Sequence, residues 1–414
     1  MPKLSLNASK KTKHTPAGEI PVDWGWGKLE TVATIQTGLS KSSNRTGASI
    51  SMPYLRVANV QDGFFALDEI KQIDVPADQV ERFSLKNGDL LLTEGGDFDK
   101  LGRGAVWKGQ IEQCVHQNHL FVVRGNPDVI EQSFLASYTQ SPSGRNYFQS
   151  CAKQSTNLAS INSTQLKQLP IPLPPLPEQS RIAAILSSWD RAIETLESLI
   201  AAKERRKQAL MEQLLSGRKR LPGFTGKWTI THLGKLAENV SIRNNGKLGW
   251  DRLYAVTKAN GMIPMREQVM GISTNNCKLV KRDDFAYNPM RLNIGSLASW
   301  QSDEDVMVSG DYIVFRCNEG ELDPRYFDHL RRSEHWNQFV NVGGSGSVRV
   351  RLYFKDIAPF QIRCPSFKEQ QAIAAILDTA DRELTLHRQH LATLRTQKRG
   401  LMKLLLTGEV RVKP

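Results

Sequence analysis

The chain has 414 residues, of which 40% are hydrophobic and 23% are charged; this suffices for roughly two to three globular domains and excludes a mostly disordered chain. No run of about eighteen apolar residues is present, and the first residues lack the apolar stretch of a secretion signal, so we expect a soluble, cytoplasmic protein without membrane contact. Five dispersed cysteines argue against a disulfide framework. The net charge of +13 favours a nucleic acid as the binding partner. The alternative is a basic protein that binds no nucleic acid.

Residues 1–20 are predicted to form a basic leader, and residues 21–170 a first globular head. In the head, short alternating runs such as LFVVR from Leu120 predict strands, and glycine-bearing turns separate them. A helical stretch is predicted near 130–140. This combination indicates a mixed α/β domain with a twisted sheet.

Two segments of this head combine basic residues with glycine, serine and asparagine, a composition that lets a main chain approach phosphates closely. They are GGDFDKLGRG from Gly95 and SGRNYFQSCAKQSTN from Ser143. We predict that they contact DNA phosphates and base edges, the alternative being solvated charged loops. The candidate residues are Lys100, Arg103, Arg145, Lys153, Ser155, Thr156 and Asn157.

Cys114, His116 and His119 lie within six residues of one another. A strand that places Cys114 and His116 on one face directs His119 to the other, so the spacing suits a metal poorly. We therefore interpret them as members of a sheet and predict no metal site.

Residues 171–220 are predicted to form a proline-rich hinge and a long helix over 178–217. The helix lacks proline, is rich in alanine, leucine and charged residues, and ends at glycine. Its apolar residues recur at steps of four and three, which predicts a coiled-coil seam interrupted by Lys203 and Lys207. The predicted seam residues are Ile182, Leu186, Trp189, Ile193, Leu196, Ile200, Leu210 and Leu214.

Residues 221–365 are predicted to form a second mixed α/β head, with a strand in YIVFR from Tyr312 and helical structure near 326–339. Its basic loop segments are NPMRLNIGS from Asn288 and GGSGSVRVR from Gly343. Asn288-Pro289-Met290 is similar to the Asn-Pro-Pro-aromatic loop of amino-methyltransferases but lacks its second proline and its aromatic residue. The predicted DNA-contacting residues are Arg291, Asn293, Ser345, Ser347, Arg349 and Arg351.

Residues 366–414 are predicted to form a second long helix and a short tail. Its segment 369–408 matches 178–217 without a gap at an offset of 191 residues, with about sixteen of forty positions identical, which indicates a tandem duplication of head plus helix. His387 and Lys398 interrupt this seam. The predicted seam residues are Ile373, Leu377, Leu384, Leu391, Leu394, Leu401 and Leu405.

The order of the segments predicts how the helices pair. The second head starts at the carboxyl end of the first helix and finishes at the amino end of the second, so a compact head places those ends side by side. We therefore expect an antiparallel coiled coil with pseudo-two-fold symmetry that separates two heads. The alternative is two amphipathic helices, each covering its own domain.

The end of the first helix carries a basic cluster. Two interpretations stay open for it: contact with the DNA backbone or an acidic partner, and a solvated helix face. The cluster comprises Lys203, Arg205, Arg206, Lys207, Arg218, Lys219 and Arg220.

The duplication, the EQ-x-x-I-A-x-I-L start that follows a proline within four residues, and the L-x-x-x-L-L-x-G end of each helix resemble the conserved regions of type I restriction-modification specificity subunits. The resemblance covers essentially the full chain, although the heads match only in outline. It implies two target recognition domains, each reading half of a bipartite double-stranded DNA sequence. It also implies partners: methyltransferase subunits, expected to be two, which use S-adenosylmethionine, and restriction subunits, which use ATP and Mg²⁺.

The resemblance thus predicts a chain without catalytic activity or cofactor of its own. No G-x-x-x-x-G-K-[ST] phosphate loop occurs, because the lysines of Gly226-Lys227, Gly234-Lys235 and Gly246-Lys247 each precede a bulky residue. Two other functions are weighed against it. One is a self-sufficient DNA-modifying enzyme, which would show turnover alone, and the other is a coiled-coil DNA-binding scaffold without sequence specificity, which would bind scrambled duplexes equally well.

Overall fold

A computed structural model of the chain describes residues 7–8, 11–40, 48–98, 101–154, 159–265, 273–342 and 351–412. The chain divides into two compact units. Unit 1 comprises Met1–Glu197 with His390–Pro414, and unit 2 comprises Ser198–Gln389. The division passes through the middle of both long helices, because each head packs with half of each helix. The sequence-based prediction placed the boundaries of the heads at residues 170 and 365, before each long helix, and so assigned each helix to a segment of its own.

Unit 1 contains one head and the start of the first long helix. Its strands are β1 Asn7–Ala8, β2 Thr12–Thr15, β3 Gly18–Pro21, β4 Gly25–Lys28, β5 Ala33–Thr37, β6 Ser49–Leu55, β7 Lys71–Pro76, β8 Leu90–Thr93, β9 Gly95–Gly96, β10 Gly104–Val106, β11 Val115–His116, β12 Leu120–Gly125, β13 Lys153–Gln154, β14 Ala159–Ser160 and β15 Pro170–Leu173. Its helices are α1 Leu29–Val32, α2 Val80–Phe83, α3 Gln132–Gln140, α4 Pro142–Cys151, α5 Ser163–Lys167 and α6 Leu176–Leu215.

The sheets of unit 1 are small and mostly antiparallel. The central sheet has the order β10-β8-β12-β5, and a second has the order β11-β6-β7 with β11 parallel to β6. The central strands are apolar on both faces because both faces are covered: Phe121 and Val123 enter one core cluster, and Leu120 and Val122 enter another. This explains the continuous apolar run LFVV.

Part of the predicted leader is built into unit 1. Strands β2 and β3 form an antiparallel hairpin, and Ile20 at its end is fully buried in the main core of the unit. The second half of the predicted leader therefore forms an ordered hairpin of the unit.

Unit 2 repeats the plan. Its strands are β16 Thr229–His232, β17 Ala237–Val240, β18 Leu253–Thr257, β19 Gly261–Pro264, β20 Lys278–Val280, β21 Phe285–Tyr287, β22 Leu297–Ser299, β23 Val306–Val308, β24 Ile313–Cys317 and β25 Gln361–Cys364. Its helices are α7 Leu233–Leu236, α8 Pro324–Leu330, α9 Glu334–Val342, α10 Phe354–Ile357 and α11 Phe367–Leu406, after which β26, Val410–Arg411, returns to pair with β1 in unit 1.

The two heads share a sheet topology. The order β17-β24-β21-β22 in unit 2 matches β5-β12-β8-β10 in unit 1, and β18 pairs parallel with β23 as β6 does with β11. The mixed α/β class and the duplicated heads are thus confirmed. Among the helices of the described residues, none is long and apolar enough to span a membrane.

Helices α6 and α11 have forty residues each and end as predicted at glycines. Gly217 and Gly408 both adopt φ of +74°, the left-handed conformation that terminates helices and that glycine adopts without strain. The two glycines are equivalent in the duplication, so the helix ends are encoded twice.

The helices pair antiparallel within each unit. In unit 1, α6 residues Ile182 and Leu186 share a core cluster with α11 residues Met402 and Leu405. In unit 2, α6 residues Met211 and Leu214 share a cluster with α11 residues Ile373 and Leu377. Early residues of one helix thus meet late residues of the other, which confirms the predicted pairing. All of the predicted seam residues are buried or half-buried.

Candidate nucleic-acid interface

The first head is fixed to its helix through a buried glutamate. Glu178, in the first turn of α6, is 2% exposed and accepts a hydrogen bond of 3.1 Å from Trp24 Nε1. Arg411, in β26, donates two further bonds of 2.8 Å to the same carboxylate and also binds Asp23. Hydrogen bonding from Arg411 lowers the pKa of Asp23. We call Glu178, Trp24 and Arg411 the first latch.

The second head has the same arrangement. Glu369, 1% exposed, accepts bonds of 2.7 and 2.8 Å from Arg220 and one of 3.1 Å from Trp228 Nε1. In both latches the guanidinium carbon lies 5.4 Å from the centroid of the tryptophan ring. Arg220 and Arg411 are themselves 191 residues apart. We call Glu369, Trp228 and Arg220 the second latch.

The glutamine that follows each glutamate joins the helix to its head. Gln179 accepts a bond from the backbone N–H of Glu131 and donates to the carbonyls of Val129 and Pro174. Gln370 accepts from the backbone N–H of Asp323 and donates to backbone carbonyls as well. Glu131 and Asp323 are the N-caps of α3 and α8. The duplicated EQ pair therefore sets the position of each head on its helix.

The two basic segments predicted in the first head lie next to each other. Strand β14 pairs with β13, which carries the exposed Lys153, and with β9, which begins the segment from Gly95. The three short strands thus bring both segments to one edge of the head. Four of the predicted residues lie outside the described residues: Lys100, Ser155, Thr156 and Asn157.

Arg103 and Arg145 are occupied by contacts inside the head. Arg103 Nη1 donates to Gln61 Oε1 at 3.0 Å, and Arg145 forms an ion pair with Asp62. Arg145 lies in helix α4 and not in a turn, because Ser141 caps the helix and Pro142 occupies its first turn. These arginines hold the turn that begins at Gln61.

The two basic segments of the second head also meet. The backbone N–H of Leu352 donates to the Pro289 carbonyl at 3.0 Å, so the exposed Arg351 lies beside the segment that carries Arg291 and Asn293, which are exposed too. Among the described residues, none forms an ion pair with Arg291 or Arg351. Ser345, Ser347 and Arg349 lie outside the described residues.

The basic cluster at the end of α6 separates into two groups. Lys203, Lys207 and Arg220 are half-buried and bind acidic residues of α11 within unit 2, where Lys203 pairs with Glu383 and Lys207 with Asp381. Arg205, Arg206, Arg218 and Lys219 are exposed, and Arg218 pairs with the exposed Glu212 of α6. Lys398 pairs with Asp190 in unit 1, so the lysines that interrupt the predicted seam bind the opposite helix.

Cys114, His116 and His119 do not converge. Buried His116 donates from Nδ1 to the Phe83 carbonyl at 3.2 Å, whereas exposed His119 lies 2.6 Å from Glu94. Burial lowers the pKa of His116 to about 4. Among the described residues no cluster of three or more His, Cys, Asp or Glu side chains suits a metal ion.

The latches were not predicted, although the sequence carries their signal. Trp24 and Trp228 each precede a matching GKL motif, and Arg220 and Arg411 obey the repeat offset. Extending the comparison beyond Gly217 and Gly408 would have paired the two arginines. An arginine that occurs in both copies needs an acidic partner, and Glu178 and Glu369 also occur in both copies. This would have indicated the two glutamates as partners.

The comparisons with known proteins agree with this construction. The family model of the type I restriction modification DNA specificity domain matches residues 21–204 and 271–396. The chain therefore belongs to the type I restriction-modification DNA specificity family, and its function is that of a specificity subunit.

Individual relatives span either the whole chain or part of it. The chain is 26% identical over 99% of both chains to a protein of Methanocaldococcus jannaschii named for the specificity subunit of the type I restriction enzyme MjaX. It is 24% identical to the EcoKI specificity subunit of Escherichia coli over 56% of this chain and 49% of that protein. The crystal structure of a type I S subunit from M. genitalium matches its fold with a TM-score of 0.58 at 16% identity, covering 94% of this chain and 98% of that one.

Proposed function

We propose that each unit reads one half of a bipartite double-stranded DNA target, and that methyltransferase and restriction subunits bound to this chain perform the chemistry. The observation that carries the proposal is the recurrence of the latch, a buried glutamate bound by an arginine and a tryptophan, in two heads whose loop sequences differ. Because the latch recurs, each head is held in the same way on its long helix. Because the loops differ, the two heads can recognise different bases.

The proposed DNA surface of each head is the edge where its two basic segments meet. In unit 1 this edge carries Lys153, and in unit 2 it carries Arg291, Asn293 and Arg351, all of them exposed. Exposed arginine and asparagine side chains suit base edges, since they donate the paired hydrogen bonds that guanine and adenine accept. Arg103 and Arg145 would then act by holding the turn at Gln61.

The long helices offer a surface for partner subunits. In unit 2, Leu199 of α6 and Ile376 and Leu386 of α11 are 40%, 38% and 64% exposed. Apolar residues on an otherwise charged helix face suit burial against another protein. We assign these residues to methyltransferase docking, with S-adenosylmethionine bound by that partner and ATP and Mg²⁺ by the restriction subunit.

The experiment that tests the proposal measures DNA binding by the chain assembled with its methyltransferase. The target is first identified by mapping methylated adenines in cells that co-express both proteins. Arg291→Ala should weaken binding to the target by roughly ten-fold and relax discrimination at one half only. Arg363→Ala, which removes an exposed arginine of β25, is the matched control.

The competing function, a scaffold without sequence specificity, predicts a different result. Scrambled and target duplexes would then bind the assembled complex equally, and Arg291→Ala would weaken both alike. Methyl transfer or cleavage by the purified chain alone would instead favour a self-sufficient enzyme.

A further inference from the structure

The segment 288–296 of unit 2 is a loop with a fixed backbone. The backbone N–H of Arg291 donates to the Asn288 carbonyl at 2.9 Å, and that of Ser296 donates to the Arg291 carbonyl at 3.1 Å. Pro289 and Leu292 are buried, Leu292 at 1% exposure in the main core of the unit. The side chains of Asn288 and Ser296 add two hydrogen bonds, one from the Met290 N–H to Asn288 Oδ1 at 2.9 Å and one from Ser296 Oγ to the Val256 carbonyl at 2.6 Å.

Four other side chains of the loop are exposed, and two of them are large and apolar. Met290 is 42% exposed and Ile294 is 54% exposed, and in the sequence they flank the exposed Arg291 and Asn293. Single exposed apolar residues are ordinary on protein surfaces. Here, however, two of them share one anchored loop with a guanidinium and an amide, so the loop presents both hydrogen-bond donors and apolar contact groups.

The surroundings of the loop are positively charged. The stem of Lys258 lies across Gly295, where an added Cβ would stand 3.3 Å from Lys258 Cγ and where φ is +91°. Arg351 adjoins the loop through the bond from Leu352 to Pro289. Among the described residues, neither Lys258 nor Arg351 forms an ion pair. This charge matches a polyanion rather than an apolar protein surface.

Double-stranded DNA offers one apolar group to a side chain in its major groove, the C5-methyl group of thymine. We propose that the loop 288–296 is the base-reading element of unit 2, and that Met290 and Ile294 recognise the methyl group of thymine within its half-site. The inference rests on the proposed function and adds to it a chemical group and the residues that contact it.

The test compares thymine with uracil, which lacks only that methyl group. The chain assembled with its methyltransferase is titrated with target duplexes in which uracil replaces thymine in one half-site or the other. Wild type should lose about four-fold in affinity for the substitution in one half-site, since burial of one methyl group contributes about that much. Ile294→Ala and Met290→Ala should weaken binding to the thymine duplex similarly and become insensitive to uracil in that same half-site.

Two variants complete the design. Ile294→Val keeps most of the apolar surface and should keep most of the preference for thymine. Ile230→Ala removes a side chain of β16 that is 69% exposed and should leave the preference unchanged.

The remaining outcomes would overturn the inference. If wild type selects its target but ignores uracil in both half-sites, the inference fails while the proposed function stands. If the alanine variants assemble less with the methyltransferase while the complex that does form keeps the thymine preference, the loop is a protein-docking surface and the inference fails. If wild type shows no preference for its target over scrambled DNA, the proposed function fails and the inference with it.

Discussion

Glu178 and Glu369 show how single residues fix the heads of this protein. A buried carboxylate is costly unless charged partners and hydrogen-bond donors surround it. Each of these glutamates receives an indole N–H and a bidentate arginine. Loss of any one member leaves the others buried without full partners, which is reason enough for the whole group to recur in both copies.

Glu369→Gln should destabilise unit 2. The amide cannot satisfy Arg220 as the carboxylate does, and losing a hydrogen bond to a charged group costs roughly 1.5 to 3 kcal/mol. Urea unfolding followed by tryptophan fluorescence measures the loss. The control Glu212→Gln removes an exposed ion pair with Arg218 and should change the free energy of unfolding by less than about 0.5 kcal/mol; equal effects of the two variants would contradict the role of the latch.

His116 should make unit 1 sensitive to mild acid. Burial lowers its pKa from 6.5 to about 4, so the folded state binds fewer protons than the unfolded state between these values. The stability that depends on neutral His116 is complete above pH 6.5 and is lost as the pH falls towards 4, about 3 kcal/mol in all.

The variant His116→Leu should flatten this dependence relative to wild type. The measurement is the melting temperature at pH values from 7 to 4.5. His119→Asn, at an exposed histidine, serves as control and should retain the wild-type slope. A wild-type slope in His116→Leu would refute the assignment.

Among the secondary-structure elements, the long helices could be predicted from the sequence, whereas the short strands of the heads and their pairing largely could not. Helix signals are local: a repeating apolar pattern, absent proline and terminal glycines placed α6 and α11 within two residues of their observed ends. Strands of two to five residues depend on partners far along the chain, as when β14 joins β9 to β13. No local pattern identifies such pairs.

The start signal of helix α4 is present in the sequence, but the loop-like composition of the residues that follow it led to the prediction of a loop. The segment SGRNYFQSC reads as a loop because serine, glycine and asparagine dominate its start. Ser141 and Pro142 nevertheless form a helix start, with the Ser141 hydroxyl accepting from the Gly144 N–H. The candidate DNA residue Arg145 was therefore placed on the wrong kind of element, and its pairing with Asp62 depends on tertiary structure that the sequence does not show.

The ion pairs between α6 and α11 should help to fix how the two antiparallel helices are aligned along their length. Asp190–Lys398 in unit 1 and Lys207–Asp381 in unit 2 are equivalent pairs in the duplication. Asp190→Lys places two lysines together and should lower the melting temperature, and adding Lys398→Asp should restore most of the loss, since the pair is merely reversed. A double variant no more stable than Asp190→Lys would show that the two residues do not interact.

In the molecule as a whole, each of the two sequence copies supplies one arginine to the latch of the other copy. The arginine that follows α6 completes the latch of the second head, and the arginine that follows α11 completes the latch of the first. Each head thereby depends on residues from both copies. The two sequence copies therefore do not coincide with the two structural units, because each unit contains residues of both copies.

The net charge of +13 predicts strong salt dependence. The affinity of the methyltransferase-bound chain for its target should fall by on the order of 10³-fold or more between 50 and 200 mM salt, because phosphate contacts release counterions. Fluorescence anisotropy across this range measures the slope. Arg291→Ala should reduce affinity without abolishing that slope, whereas an affinity that is independent of salt would contradict DNA contact by the basic edges.

The central claim is that each head reads its own half of the target while partner subunits methylate it. The most direct test replaces residues 221–365 with the second head of a relative, co-expresses the chimaera with the methyltransferase and maps methylated adenines across the genome. We expect a bipartite target in which one half changes, while the other half and the spacing between the halves stay the same. A change in both halves, or an unchanged target, would contradict it.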